Sequence, residues 1–121
     1  MFTLEFDPQL SILVAAFSGV VDDELFVKAF IQMTEIEAVK KDLLVDFSEV
    51  TTAGVSVGGI RNVASLYLTG EAITADRKVA VLAPRDDVFG LARMYEMMRP
   101  ASKTPFLIFR DRQTALAWLQ K

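Results

Sequence analysis

The first hydrophobic signal in the chain is an alternation: Phe2, Leu4 and Phe6 take turns with Thr3, Glu5 and Asp7, the period of two that marks a strand with one dry and one wet face. Asp7-Pro8-Gln9 is turn chemistry. Leu10 to Ser18 follows with apolar residues on both alternating faces, as in a more central strand paired to the first as a hairpin and closed by Gly19. From Asp22-Asp23-Glu24 the period lengthens: Leu25, Phe26, Ala29, Phe30, Met33 and Ile36 recur at helical spacing behind three acids that suit a helix N-terminus.

Lys40-Lys41-Asp42 separates that helix from Leu43 to Phe47, a short apolar strand carrying Asp46 near its end, and Ser48 to Gly54 is expected to be a polar turn. A helix between two strands suggests an α/β crossover. Ser56 to Leu68 carries Ile60, Val63, Ala64, Leu66, Tyr67 and Leu68 as a second helix, weakened at its start by Gly58-Gly59. Thr69 to Arg77 reads as a connection, with continued helix through Glu71 to Thr74 as the alternative. Lys78 to Ala83 is a strand ended by Pro84, and Arg85-Asp86-Asp87 offers caps for a third helix faced by Val88, Leu91, Ala92, Tyr95 and Met98 and stopped by Pro100. Phe106 to Phe109 is the last strand. Asp111 caps a final helix whose inward face is Ala115, Leu116 and Leu119, with Trp118 beside it. The order is ββαβαβαβα.

Composition narrows the function classes. With 121 residues, 52% apolar and 24% charged, one domain spanning 1–121 with its own core is expected. Thirteen basic and sixteen acidic residues, mixed in sequence, leave no basic stripe for phosphates, so nucleic acid is disfavoured as a partner. The longest apolar run, Ile12 to Phe17, is far short of the ~20 residues that span a bilayer, and MFTLEFD carries acids where a signal peptide carries bases, so a cytoplasmic chain without a transmembrane segment is expected. The absence of cysteine and histidine removes thiolate nucleophiles, the usual zinc ligands and the side chain that titrates near neutrality. No metal or cofactor is expected, and no spacing singles out an acid/base pair; an enzyme using Asp86, Asp87 or Asp46 is a minor alternative.

Gly54, Gly58 and Gly59 invite a phosphate-loop reading, but GVSVGGIR lacks both the Lys-Ser/Thr ending of a Walker loop and the GxGxxG spacing. Tight turning or close packing is the plainer reading. On the third helix, Phe89, Met94, Tyr95 and Met98 are soft and aromatic on more than one face; with Phe26, Phe30 and Tyr67 they are candidates for an apolar pocket or a dimer surface, against an ordinary core helix.

The pattern as a whole resembles the STAS family, and within it SpoIIAA-like proteins related to anti-sigma-factor antagonists and to the CRAL-TRIO fold. GVVDDE at Gly19 to Glu24, VDFSEVTTAG at Val45 to Gly54 and RDRQTALAWL at Arg110 to Leu119 carry the resemblance. It implies an α/β fold with a mixed β-sheet and helices largely on one face. It also implies a non-catalytic regulatory module that binds a protein partner or a second copy of itself through the Thr51 to Ser56 loop. Antagonists of that family carry Asp-Ser-x-Gly in this loop, with the serine phosphorylated. Here Thr51 stands at the aspartate position, Thr52 at the serine position and Gly54 at the glycine, so the phospho-acceptor and partner-loop candidates are Thr51, Thr52, Gly54 and Ser56, against simple capping of the next helix by the two threonines. A carrier or sensor of a small apolar or lipid-like ligand is the alternative function.

Overall fold

Three apolar strands and an amphipathic hairpin assemble into one five-stranded mixed sheet of order β1-β2-β3-β4-β5, seen in a computed structural model that describes residues 1–36, 41–74, 77–98 and 105–121. The strands are β1 (Phe2–Asp7), β2 (Ile12–Asp22), β3 (Asp42–Gly54), β4 (Val79–Leu82) and β5 (Phe106–Phe109); the helices are α1 (Asp23–Ile36), α2 (Val57–Thr74), α3 (Asp86–Met98) and α4 (Arg112–Leu119). The element order and the mixed sheet are those expected from the sequence. β1 pairs antiparallel to β2, its half-dry face making it the edge, and β2 to β5 are mutually parallel. At the hairpin turn the Asp7 carboxylate accepts from the Gln9 and Leu10 amides at 3.0 and 3.1 Å.

Each crossover, β2-α1-β3, β3-α2-β4 and β4-α3-β5, steps one strand in the same direction. A single hand of crossover therefore lays α1, α2 and α3 on one face. Their buried residues form the larger core with Phe17, Val45 and Val81 of the sheet. α4 follows β5 and covers part of the other face, packing Ala115 and Leu119 on Ile12, Leu44, Ala80 and Leu82. Asp111 caps it by accepting from the Thr114 amide at 2.9 Å. Aromatic rings run across the larger core from one edge of the sheet to the other: Phe2 to Phe17 at 4.9 Å, Phe17 to Phe26 at 6.4 Å, Phe26 to Phe30 at 4.9 Å, Phe30 to Tyr95 at 5.9 Å and Tyr95 to Phe106 at 5.6 Å.

Four expectations are corrected. β2 does not end at Gly19 but continues to Asp22, with Gly19 in the left-handed region at φ 71°, a conformation open to glycine inside a strand irregularity. Ser48 to Gly54 is not a turn: β3 runs through it to Gly54, because the prolonged β2 supplies a pairing partner for an otherwise polar segment. α2 starts at Val57 and extends to Thr74, so Thr69 to Thr74 is helix rather than connection. Leu10 lies in the hairpin turn and not in β2, which starts at Ile12. Lys40 and Pro100 lie outside the described residues.

Phe17 is buried and in ring contact with Phe2, Phe26 and Phe47. Phe17→Ala is expected to lower the unfolding free energy by about 3–5 kcal/mol in urea titrations, the cost of a large cavity at a well-packed site.

Candidate functional site

β3 is thirteen residues long but pairs with β4 only from Leu43 to Asp46. Beyond that point it leans on β2 alone, and the pairing is irregular. Ala16 to Ser18 of β2 spans Asp46 to Glu49 of β3, and Gly19 to Val20 spans Val50 to Thr52, so β3 carries one extra residue at each place. Both are β-bulges. At the first, the Asp46 Oδ1 accepts from the Ser48 amide at 2.8 Å while its Oδ2 accepts from Arg112 Nη1 at 3.0 Å, tying the bulge to the first residue of α4. At the second, Thr51 is the extra residue, and the carbonyls of Val50 and Thr51 both accept from Arg85 Nη1, Val50 at 2.9 Å.

Arg85 stands just where β4 stops. Pro84 has no amide hydrogen to continue a ladder, and the guanidinium of the next residue supplies donors to β3 in its place. Its remaining donors face the Asp87 carboxylate, Nε to Oδ1 at 3.1 Å and Nη2 to Oδ2 at 2.9 Å. Such a planar fork is a geometry that arginine supports and lysine does not. Arg110, after β5, donates to the Pro84 carbonyl and to Asp86 and lies over the Phe89 ring at 4.6 Å. The carboxylates named as a minor catalytic alternative are thus held apart, Asp46 with Arg112, Asp86 with Arg110 and Asp87 with Arg85. Among the described residues no group of three or more Asp or Glu side chains is placed to hold a metal ion.

Thr51, Thr52 and Gly54 are exposed and lie on the strand, so neither threonine caps a helix. Ser56 is the cap of α2: its hydroxyl accepts from the Gly59 amide at 3.1 Å and its carbonyl accepts from the Ile60 amide at 3.0 Å. Sequence reasoning missed what holds Ser56. Asp23, second of the acidic triplet at the start of α1, accepts from the Ser56 amide at 2.7 Å and from the Ser56 hydroxyl. Asp22 is the residue that caps α1, through the Leu25 amide at 2.9 Å. The Ser56 hydrogen bonds hold the Asp23 carboxyl below its usual value of 3.8. Gly59 is required by the same contact, because a β-carbon there would run into the Asp23 carboxylate. Three acids in a row hid the junction: they match helix capping so well that nothing marked one of them as reaching across to α2.

Beneath this end of the sheet, between α1, the start of α2 and α3, lies a small cavity of about 40 Å³. Its wall is almost wholly apolar, including Phe26, Phe30, Val45, Val81 and Ala92, with Tyr95 the one hydroxyl-bearing residue among those that line it. Of the candidate apolar residues, Phe26, Phe30 and Tyr95 therefore face the cavity. Met94 and Met98 pack half-buried on the larger core, as does Phe89, which also meets Arg110. Tyr67 lies on α2 with its side chain outside the described ones. No described helix is long and apolar enough to cross a membrane.

No family model matches the chain, and no curated protein matches it. Among solved structures it is similar to an uncharacterized protein of the DUF3478 family with a SpoIIAA-like fold from Shewanella loihica PV-4, with a TM-score of 0.61 and 20% identity over 98% of this chain and 92% of that one. The chain thus has a SpoIIAA-like α/β fold, the fold that the STAS resemblance implied.

Two outcomes follow from the Asp23 junction. Because the folded carboxyl titrates below its usual value, the stability it contributes is complete above about pH 4 and is lost as pH falls through the lowered folded value; Asp111, lowered by the Thr114 hydrogen bonds, acts in the same direction. Asp23→Asn is expected to flatten part of the acid limb of a Tm-against-pH curve. Gly59→Ala is expected to destabilise the protein when Asp23 is present. In an Asp23→Ala background it is expected to stabilise by up to about 1 kcal/mol, the helix-propensity gain of alanine over glycine, both read by urea unfolding.

Proposed function

We propose that the chain is a non-catalytic binding module of the STAS type whose recognition rim is the Thr51 to Ser56 segment with its immediate neighbours. The observation that carries the reading is the projecting β2–β3 ribbon. It presents Thr51, Thr52, Gly54 and Ser56 to solvent together with two uncovered apolar side chains, Val20 at 63% exposure, paired in register with Thr52, and Val57 at 47%. Among the described residues neither threonine hydroxyl is engaged in a hydrogen bond with the protein. Exposed hydroxyls interspersed with apolar side chains on a rigid strand suit a protein partner, and a second copy of this chain is one such partner. A phosphate on Thr52 would stand on a strand and not at the α2 cap, which is Ser56; regulation there would act by adding charge to the rim.

Site-specific photocrosslinking tests this. A photoreactive residue at position 52 is expected to give one discrete adduct that Val20→Asp and Val57→Asp abolish, while the same group at position 97, exposed on α3, gives none. Equal labelling from positions 52 and 97 overturns the reading.

A second reading, a carrier or sensor of a small apolar ligand, is favoured by the cavity. A small cavity with an almost wholly apolar wall accepts a noble-gas atom such as xenon. Its wall carries no charged group, which favours a neutral occupant. Xenon is expected to shift NMR resonances of Val45, Val81 and Ala92. Ala92→Leu, which fills the space with about 1–3 kcal/mol of strain at most, is expected to abolish those shifts; unchanged shifts in that variant overturn the carrier reading.

A further inference from the structure

We propose that Arg85 is the strut that closes the mouth of the apolar cavity, so that entry and exit of a neutral ligand occur beside Thr51 and are timed by release of this one side chain. The proposal rests on the reading that the cavity admits a small apolar molecule, and it assigns to that site its gate and its direction of access.

The position of the mouth follows from exposure along the cavity wall. Most lining residues are buried; those that keep partial exposure are Ala53, Val55, Leu91 and Phe106. Phe106 starts β5 and lies at the far end of the strands. The other three meet at the site end, where β3 passes into α2 opposite α3. One lip of the opening is thus residues 50 to 55, and the other is the first two turns of α3, with Val88 and Leu91 facing inward.

Arg85 joins the two lips. Its backbone carbonyl accepts from the Phe89 amide at 2.8 Å, so the residue stands directly before α3 and is tied to its first turn, while its Nη1 is bonded to the Val50 and Thr51 carbonyls of the opposite lip. β4 gives the lip no support here, its pairing with β3 having ended at Asp46. On the other side, β2 meets the lip across a bulge at Thr51, where the ladder is interrupted. β2 still pairs with the lip at Val50, Thr52, Ala53 and Gly54, and toward α3 the described side-chain hydrogen bond to it is that of the Arg85 guanidinium, whose geometry Asp87 fixes. Hydrogen bonds from a charged donor are stronger than neutral ones, and removing the donor leaves the part-buried Val50 carbonyl in need of water, which favours an outward turn of the lip.

The experiment compares wild type with Arg85→Ala, Arg85→Lys and Asp87→Asn, and with Arg93→Ala, whose exposed side chain pairs with Glu96 on the outer side of α3, as the control. Amide hydrogen exchange at residues 50 to 55 and the exchange rate of xenon, by xenon NMR line shape, are the two readouts. Arg85→Ala is expected to raise amide exchange in 50 to 55 by about tenfold or more and to raise xenon on- and off-rates together with little change in Kd. Arg85→Lys and Asp87→Asn are expected to fall between, and Arg93→Ala to match wild type. Asp87→Asn keeps the test decisive if Arg85→Ala does not fold. Unchanged exchange and unchanged xenon rates in a folded Arg85 or Asp87 variant overturn the strut. If xenon fails to bind wild type, the carrier reading has failed, whereas the exchange protection of 50 to 55 still decides whether Arg85 holds the lip.

Discussion

A parallel strand that outruns its neighbour leaves a row of carbonyls and amides with nothing to pair, and burial does not permit them to stay so. β3 is in that position for more than half its length. The structure answers with three devices from different parts of the sequence. β2 is prolonged past Gly19 to run alongside on one side. Asp46 takes the amide freed at the first bulge, and Arg85 takes the two carbonyls turned out at the second. Without these, Val50, Ala53 and Val55 would not be held over the apolar interior, and the site end would have neither its exposed rim nor its cavity.

Charge and apolar surface are sorted accordingly. The ionised side chains at this end ring the sheet in pairs, Asp46 with Arg112, Asp86 with Arg110, Asp87 with Arg85, each partly exposed or bonded to backbone as well as to its partner. Exposed pairs of this kind contribute little to stability by Coulomb attraction alone. Their effect is geometric: each fixes a bulge, a strand end or a helix start. Inside that ring the wall of the cavity carries no ionised group.

Much of the fold was legible because its signals were local. Alternation in β1, helical spacing from Leu25 to Met33, the short apolar run at β4 and the Asp111 cap each declare themselves within a few residues, and β5 was read with its observed limits. The end of β2 and the second half of β3 were not legible for the same reason. Gly19 and the polar run from Ser48 to Gly54 look like chain reversals in isolation, and only their pairing with each other, through two bulges, makes them strand. Thr51 and Thr52 were therefore placed in a loop before a helix that Ser56 caps. Phe26, Phe30 and Tyr95 stand out in sequence by their aromatic bulk at helical spacing, and all three line the cavity. Asp23 was hidden because its partner lies thirty-three residues away and it also satisfies a local rule, helix-start acidity.

The same long-range contacts bear on whether the rim and the cavity are one site or two. Thr51 presents its side chain to solvent while its carbonyl is bonded to the residue that begins α3, and Val50, its neighbour, is buried in the cavity wall. One short segment therefore has a solvent face, an in-plane bond and an interior face. On the proposed readings, a partner at the rim and an occupant of the cavity would both act on the Arg85 bond, one from outside and one through Val50. Two ligands that act on one bond would be coupled through it whatever their chemistry, and the coupling would be reciprocal. Its sign would follow from geometry: a partner that binds the closed lip would retain the occupant, and one that needs the lip turned outward would expel it. The overshoot of β3 is what brings the exposed rim and the cavity wall into one short segment.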